Sequence, residues 1–147
     1  MEYYAQEVEK PSELLLLLKY IDHSSDIDDE YWEQMINRIN NNSYEYIVIG
    51  IYRLVNCKTC ITKFKPEMLG FLYIRMDEEF DVIALSLEAE YNENFEIGNI
   101  VGKYLKKRMD ELQINRIKFH SMIRTKEWYE TFFGIKMKQY NTMVWEG

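Results

Sequence analysis

The stretch Phe80–Ser121, FDVIALSLEAEYNENFEIGNIVGKYLKKRMDELQINRIKFHS, decides the fold. Its first part, Phe80 to about Glu90, sets Ile83, Leu85, Leu87 and Ala89 against Ser86, Glu88 and Glu90. That alternation is the period of a strand, here with one apolar face and one face ending in carboxylates. The middle changes period: Ile97, Ile100, Val101, Tyr104, Leu105, Met109 and Leu112 fall on one helical stripe, with Lys103, Lys106, Lys107 and Asp110 off it. The end, Arg116 to Ser121, returns to a strand with Ile117 and Phe119 apolar. Strand, long helix and strand in this order predict a parallel crossover. Each large aliphatic side chain that the helix buries contributes about 1.5–3 kcal/mol, which puts this helix at the centre of the fold.

Working outward, Tyr44–Leu54 and Met68–Met76 read as strands, and Asp77-Glu78-Glu79 is a polar connection suited to an antiparallel hairpin with the strand at Phe80. Tyr3–Val8 is a short strand. Pro11-Ser12-Glu13 opens a first helix, and Asp28–Ile39 is a second, with Asp26, Asp28, Asp29 and Glu30 at its positive end. Lys126–Phe133 is a short amphipathic helix. Ile135–Gln139 and Thr142–Trp145 close the chain as a hairpin around Tyr140-Asn141. The fold class is therefore α/β (α+β), a mixed and mostly antiparallel central sheet with one parallel strand-helix-strand crossover and flanking helices. With no repeat and no linker, residues 1–147 are expected to form a single domain.

Composition narrows the function. Against 25 Asp and Glu there are 18 Lys and Arg, a net charge of −7 over 147 residues, which opposes phosphate backbones and makes nucleic acid an unexpected partner. A cationic or amine-bearing partner is the natural expectation. The longest aliphatic run, Leu14–Leu18, is far shorter than the roughly 20 residues that cross a bilayer. The N-terminus has no basic stretch followed by an apolar one, so a cytoplasmic location is expected, with Cys57 and Cys60 as thiols. Cys57-Lys58-Thr59-Cys60 lacks the two further ligands that structural zinc needs, since the only histidines are His23 and His120 in distant segments. No metal is expected.

The element order over essentially the whole chain resembles the GNAT N-acetyltransferase superfamily. Local words agree: Glu111-Leu112-Gln113-Ile114-Asn115-Arg116-Ile117-Lys118-Phe119 looks like the family's helix end, turn and next strand. Trp128-Tyr129-Glu130-Thr131-Phe132-Phe133-Gly134-Ile135 looks like its late YxxxGF segment, and Ala89-Glu90-Tyr91 echoes the PEY that ends its fourth strand. The resemblance implies acetyl-CoA as cosubstrate, lying in a V between the fourth and fifth strands. The pantetheine and the thioester carbonyl would then meet backbone groups of Leu87, Glu88 and Ala89, and the diphosphate would meet those of Gly98, Asn99 and Ile100 at the start of the central helix. Helix N-termini offer unpaired donors and about half a positive charge.

The family's phosphate pattern, QxxGxG or RxxGxG, falls here on Glu93-Asn94-Phe95-Glu96-Ile97-Gly98, with a carboxylate at its first position and Glu96 where a glycine is usual. A like charge about 4 Å from a phosphate near a surface costs on the order of 4 kcal/mol at an effective dielectric of 20. Lys103, Lys106 and Arg108 are the local candidates for offsetting it.

Acetyl transfer to an amine needs a base for the amine, donors for the oxyanion and an acid for the leaving thiolate. By resemblance Glu88 and Glu90 are the base, direct or through water; read as residues alone, they solvate a strand end. Tyr129, protonated at pH 7, is the acid; read alone, it is an amphipathic core tyrosine. By resemblance His120 would contact substrate or pantetheine, and Tyr31, Trp32 and Met35 with Asp28, Asp29 and Glu30 would border the acceptor; read alone, they are a surface or capped histidine, a core stripe and helix-dipole acids. Relatives pair through late strands, which makes the hairpin with Tyr140, Met143 and Trp145 the expected surface for a homodimer. The function so read is acetyl transfer from acetyl-CoA to an amine. The alternative is a GNAT-like domain without catalysis, acting as a protein-interaction or inhibitor module.

Overall fold

In a computed structural model of the chain, the residues described are 3–9, 34, 37, 46–119, 124–136, 138–139 and 143–146. Seven strands form one sheet in the order β1-β2-β3-β4-β5-β7-β6. They are β1 (Tyr3–Glu7), β2 (Tyr46–Asn56), β3 (Phe64–Met76), β4 (Phe80–Leu87), β5 (Arg116–Phe119), β6 (Lys138–Gln139) and β7 (Met143–Glu146). All neighbours are antiparallel except β4 and β5, which run parallel and are joined through helix α1 (Phe95–Leu112). Helix α2 (Lys126–Phe133) packs against α1. The expected crossover is present. Of the helix expected at Asp28–Ile39 only Gln34 and Asn37 are described, and both are helical; the helix expected around Pro11–Ile21, the acceptor border at Tyr31, Trp32 and Met35, His120, Ser121 and the Tyr140-Asn141 turn lie outside the described residues.

The core lies between one face of the sheet and the two helices. Ile47, Ile49 and Ile51 of β2, Leu72 and Ile74 of β3, Val82, Leu85 and Leu87 of β4, and Ile117 and Phe119 of β5 meet Ile97, Val101, Leu105 and Met109 of α1. Tyr129, Phe132 and Phe133 of α2 join the same cluster. In β4 the alternation slips once. Tyr73 pairs with Ala84 but Ile74 pairs with Val82, leaving Ile83 as an extra, bulged residue. Val82, not Ile83, therefore shares the core face with Leu85 and Leu87.

β4 also ends at Leu87, three residues before the expected Glu90, and Ala89–Tyr91 turn into a single 3-10 turn whose Tyr91 N–H reaches the Glu88 carbonyl at 2.9 Å. Asn94 caps α1 by accepting from the Ile97 N–H at 3.2 Å. Gln113, with φ 56°, takes the left-handed position that closes α1, and Gly134, with φ 67°, does the same for α2.

The cysteines expected as thiols form a Cys57–Cys60 disulfide. The reason is the β2–β3 turn: the Cys57 N–H bonds the Lys63 carbonyl at 2.7 Å, the Lys63 N–H bonds the Cys60 carbonyl at 3.1 Å, and the two Cα atoms come to 5.5 Å, within bridging range. Among the described residues no helix is long and apolar enough to cross a membrane, and no group of three or more His, Cys, Asp or Glu is placed to hold a metal ion.

Candidate functional site

The candidate site, the wedge, is taken along the edge of β4 past its described pairing with β5, toward the starts of α1 and α2. Their described pairing is confined to Phe80–Ile117, Asp81–Lys118 and Val82–Phe119. Farther along, the Glu88 N–H donates to the Leu69 carbonyl of β3 at 2.9 Å, in register with the Gly70–Leu87 pair. In an antiparallel ladder this turns the backbone groups of Ser86 and Glu88 toward β3 and those of Leu85 and Leu87 toward the opposite edge. On that edge the Leu85 carbonyl accepts from a side chain, Arg124 Nη1, at 3.1 Å. Of the amides expected to meet the thioester and pantetheine, that of Leu87 thus points to the edge away from β3. That of Glu88 is turned away by its bond to β3, and Ala89 is exposed at the start of the 3-10 turn.

One wall of the wedge is an aromatic and cationic cluster at the start of α2. Thr125 caps this helix by accepting from the Trp128 N–H at 3.2 Å. Trp128 Nε1 donates to the Asn92 carbonyl at 2.9 Å, and the Arg124 guanidinium stacks 4.7 Å from the Trp128 ring. Arg124 Nη2 also donates to Asn92 Oδ1 at 3.2 Å. Burial lowers the guanidinium's pKa from the usual arginine value, and the Tyr129 phenol opposes this in part. Tyr129 itself is 0% exposed, packed on Phe119 with ring centroids 4.7 Å apart. The structure thus makes it a core residue as well as a neighbour of Arg124.

At the helix end of the wedge the donors shift relative to the sequence register. Gly98 is the fourth residue of α1, and its N–H already donates to the Asn94 carbonyl at 3.2 Å; Asn99 and Ile100 lie deeper still. The Asn94 N–H is bonded to Tyr91 at 3.0 Å and that of Ile97 to the Asn94 side chain. The N–H groups left at this end belong to Phe95 and Glu96. Gly98 has a different reason to be glycine. A Cβ there would sit 1.7 Å from the Phe132 carbonyl oxygen, so the residue lets α2 cross α1 at close range.

A second cluster gathers beside the end of β4. Arg53 of β2 and Glu67 of β3 form a cross-strand pair, with Nη2 to Oε2 at 3.0 Å and Nε to Oε2 at 3.2 Å. The Arg53 guanidinium lies 5.8 Å from the Tyr91 ring centre. Glu88 completes the group. Burial first, then the charges of Glu90 and Glu67 and a hydrogen bond with Glu90, hold its pKa above the usual carboxyl range, and Arg53 offsets this in part. The structure therefore brings Glu88 and Glu90 together, and joins to them Arg53, Glu67 and Tyr91.

Sequence reasoning missed Arg53, Glu67, Asn92, Arg124 and Trp128. The first two carried a faint signal as opposite charges on neighbouring strands; the others meet across sequence separations of 32 and 36 residues, which no local pattern records. Ser86, 0% exposed on the strand between these clusters, has no hydrogen-bond partner for its hydroxyl among the described residues.

No protein-family model and no curated protein sequence matches the chain. Solved structures do. An N-acetyltransferase, PaiA, from Thermoplasma acidophilum in complex with coenzyme A is similar at 12% identity and a TM-score of 0.59, covering 98% of this chain and 97% of that one. A Desulfovibrio desulfuricans protein assigned to the GNAT acetyltransferases is similar at 9% identity and a TM-score of 0.63, with 97% and 96% covered. A chain of the NatC complex bound to Gag peptide and coenzyme A is similar at 12% identity and a TM-score of 0.56, with 100% and 99% covered. At these identities the likeness shows the fold: the chain has the mixed α/β fold of the GNAT N-acetyltransferases.

Proposed function

We propose that this protein is an acetyl-CoA-dependent N-acetyltransferase acting on a cationic amine. The observation that supports it most is the edge of β4 at Leu85 and Leu87. Those residues turn backbone groups to the edge away from β3, and that edge leads to the capped N-terminus of α1, an arrangement of the kind an extended pantetheine amide chain would follow. The group fits these residues: the β4 edge carries amide groups, and Phe95 and Glu96 offer helix N–H donors in place of the contacts expected at Gly98, Asn99 and Ile100.

In this reading the protonated amine is drawn to Glu67, Glu88 and Glu90, whose charge exceeds that of Arg53 by two. Glu88, directly or through water and with Glu90 beside it, takes one proton from the ammonium group and later passes it to solvent. The freed amine nitrogen then bonds the thioester carbonyl carbon, backbone N–H groups of β4 hold the oxyanion, and the carbon–sulfur bond breaks as the intermediate collapses. Tyr129, on the α2 side, gives its phenol proton to the leaving thiolate and regains one, through water, from the second N–H proton that the nitrogen sheds, giving the acetylated amine and coenzyme A. A carboxyl whose pKa lies above its usual range is better matched to accepting a proton near neutral pH than an ordinary one.

Thermal unfolding with acetyl-CoA tests the reading. At about 100 times its dissociation constant a ligand adds roughly 2.7 kcal/mol of stability. For a domain near this size that raises the midpoint by about 5–10 °C. An unchanged midpoint with millimolar acetyl-CoA favours the second reading, a GNAT-fold interaction module, which the exposed carboxylates Glu93 and Glu96 beside the α1 N-terminus also suit.

A further inference from the structure

We infer that the tip of the β2–β3 hairpin docks the acidic segment of a polypeptide acceptor, a chain that carries carboxylates a few residues beyond the amine it presents. The inference rests on the reading of Glu67, Glu88 and Glu90 as the group that receives the amine.

The charge of the tip comes first. In a protein of net charge −7, segment 56–66 carries Lys58, Lys63 and Lys65 and no Asp or Glu. All three lysines are exposed, and among the described residues none is paired with a carboxylate. Ile61 is fully exposed between them, and Phe64 is half exposed. A cationic surface on an anionic protein selects a partner that carries carboxylates.

Placement comes second. β3 pairs with β4 as far as Gly70–Leu87, and the β2–β3 ladder continues past that pair to Asn56–Phe64, so the turn projects beyond the end of β4. On β3, Glu67 pairs with Arg53, and Lys65 pairs with Val55 two positions farther out. Residues two apart on a strand share a face, so Lys65 stands on the face of Glu67, about 7 Å nearer the tip. Along this face the charge changes sign, from the carboxylates that receive the amine to Lys65, and the turn beyond it carries Lys63 and Lys58. An extended chain that leaves its ammonium group at the carboxylates reaches Lys65 after about two residues and the turn after about four to six.

The tip is also held in one shape before a partner arrives. The Cys57–Cys60 disulfide closes the turn, the Cys57 N–H bonds the Lys63 carbonyl at 2.7 Å, and the Thr62 hydroxyl donates to the Phe64 carbonyl at 2.8 Å. A surface so held loses little freedom on binding. An anionic bilayer fits it less well. Basic clusters that bind lipid headgroups carry roughly four to eight Lys or Arg, more than the three here, and a bilayer gives no role to the change of sign along β3.

The test uses wild type and a triple variant, Lys58→Gln with Lys63→Gln and Lys65→Gln. The probes are decapeptides with a free amino terminus and a C-terminal fluorophore, identical except for Glu, Gln or Lys at positions 3 to 6. By fluorescence anisotropy, wild type is expected to bind the Glu peptide about 10-fold tighter than the Gln peptide, and the Lys peptide most weakly. Raising the salt to roughly 1 M, where the Debye length falls to about 3 Å, is expected to erase the preference. The triple variant is expected to lose it to within about twofold at an unchanged unfolding midpoint, since all three side chains are exposed. Wild type that binds the three peptides alike overturns the inference whether or not the variant folds, and so does a preference that survives the triple substitution. Lysine-dependent binding to phosphatidylcholine vesicles containing phosphatidylserine, with no preference for the Glu peptide, overturns it in favour of a lipid surface. Activity is read separately. Lysine-dependent binding of the Glu peptide without acetylation by acetyl-CoA brings down the acetyltransferase reading and leaves the docking surface standing. Acetylation of the Glu and Gln peptides with equal KM brings down the docking surface and leaves the enzyme.

Discussion

Glu88→Gln is expected to slow the proposed acetyl transfer by about 10²–10⁴-fold, the range a positioned general base contributes, while acetyl-CoA affinity changes little. The glutamine keeps the shape and the hydrogen-bonding reach toward Glu90 but cannot accept the amine proton. The pH dependence separates this role from a solvating one. Because burial and the charges of Glu90 and Glu67 raise the Glu88 pKa, the wild-type rate rises with pH through that raised value as the carboxyl becomes a base. The variant lacks this limb. Stability moves the other way. A carboxyl with a higher pKa in the folded chain than in the unfolded one binds more protons when folded. Stability is therefore fullest below the unfolded value and declines as pH climbs from there to the folded one. Removing Glu88 flattens that decline. A pH–rate profile and a pH–midpoint series for wild type and Glu88→Gln check both signs, and a variant with wild-type turnover removes Glu88 from the reaction.

Gly98→Ala is expected to cost about 2–3 kcal/mol of stability, although alanine is the better helix former by nearly 1 kcal/mol. The added methyl would stand 1.7 Å from the Phe132 carbonyl oxygen and 2.6 Å from its carbon, and backbone cannot rotate away as a side chain can. Helix α2 must move, and with it the Tyr129 ring that fills the core and the Trp128 ring packed against it. Gly102 is the internal control. A Cβ there meets the Phe133 carbonyl oxygen only at 3.4 Å, so Gly102→Ala is expected to be neutral or slightly stabilising. Unfolding midpoints of the two variants check the contrast, and a Gly98→Ala protein as stable as wild type means that the two helices do not cross as closely as described.

These two predictions also mark how much the sequence could tell. The order of elements from β1 to β7, among the described residues, was legible because each element keeps one period long enough to be recognised: Ile97, Val101, Leu105 and Met109 at helical spacing, Ile47 and Ile49 at strand spacing. What failed to show was local geometry that changes the phase without changing composition. An alternating count carries no mark of an inserted residue, so the bulge at Ile83 exchanged Val82 for Ile83 on the core face.

The end of β4 was hidden for a similar reason. Glu88-Ala89-Glu90 continues the polar alternation, yet its backbone closes a 3-10 turn that gathers Glu88 and Glu90 at one place. The start of α1 went unread: Asn94 caps it and leaves Phe95 and Glu96 as the outermost donors, where motif counting gave Gly98. The close helix crossing at Gly98 was not read from the sequence either, since a glycine there also fits a phosphate motif. Arg124 left no sign, because its contact with the Leu85 carbonyl joins residues 39 apart in the chain.

The claim on which the account depends is that coenzyme A lies along the β4 edge and ends at the N-terminus of α1. Its most direct test is the backbone amide spectrum of the nitrogen-labelled protein during titration with coenzyme A. The account predicts that the resonances of Leu85, Leu87, Phe95, Glu96 and Trp128 move together and saturate at one stoichiometric equivalent. A spectrum that does not change, or changes confined to the opposite end of the sheet around Asp77–Asp81 and Arg116, would contradict it.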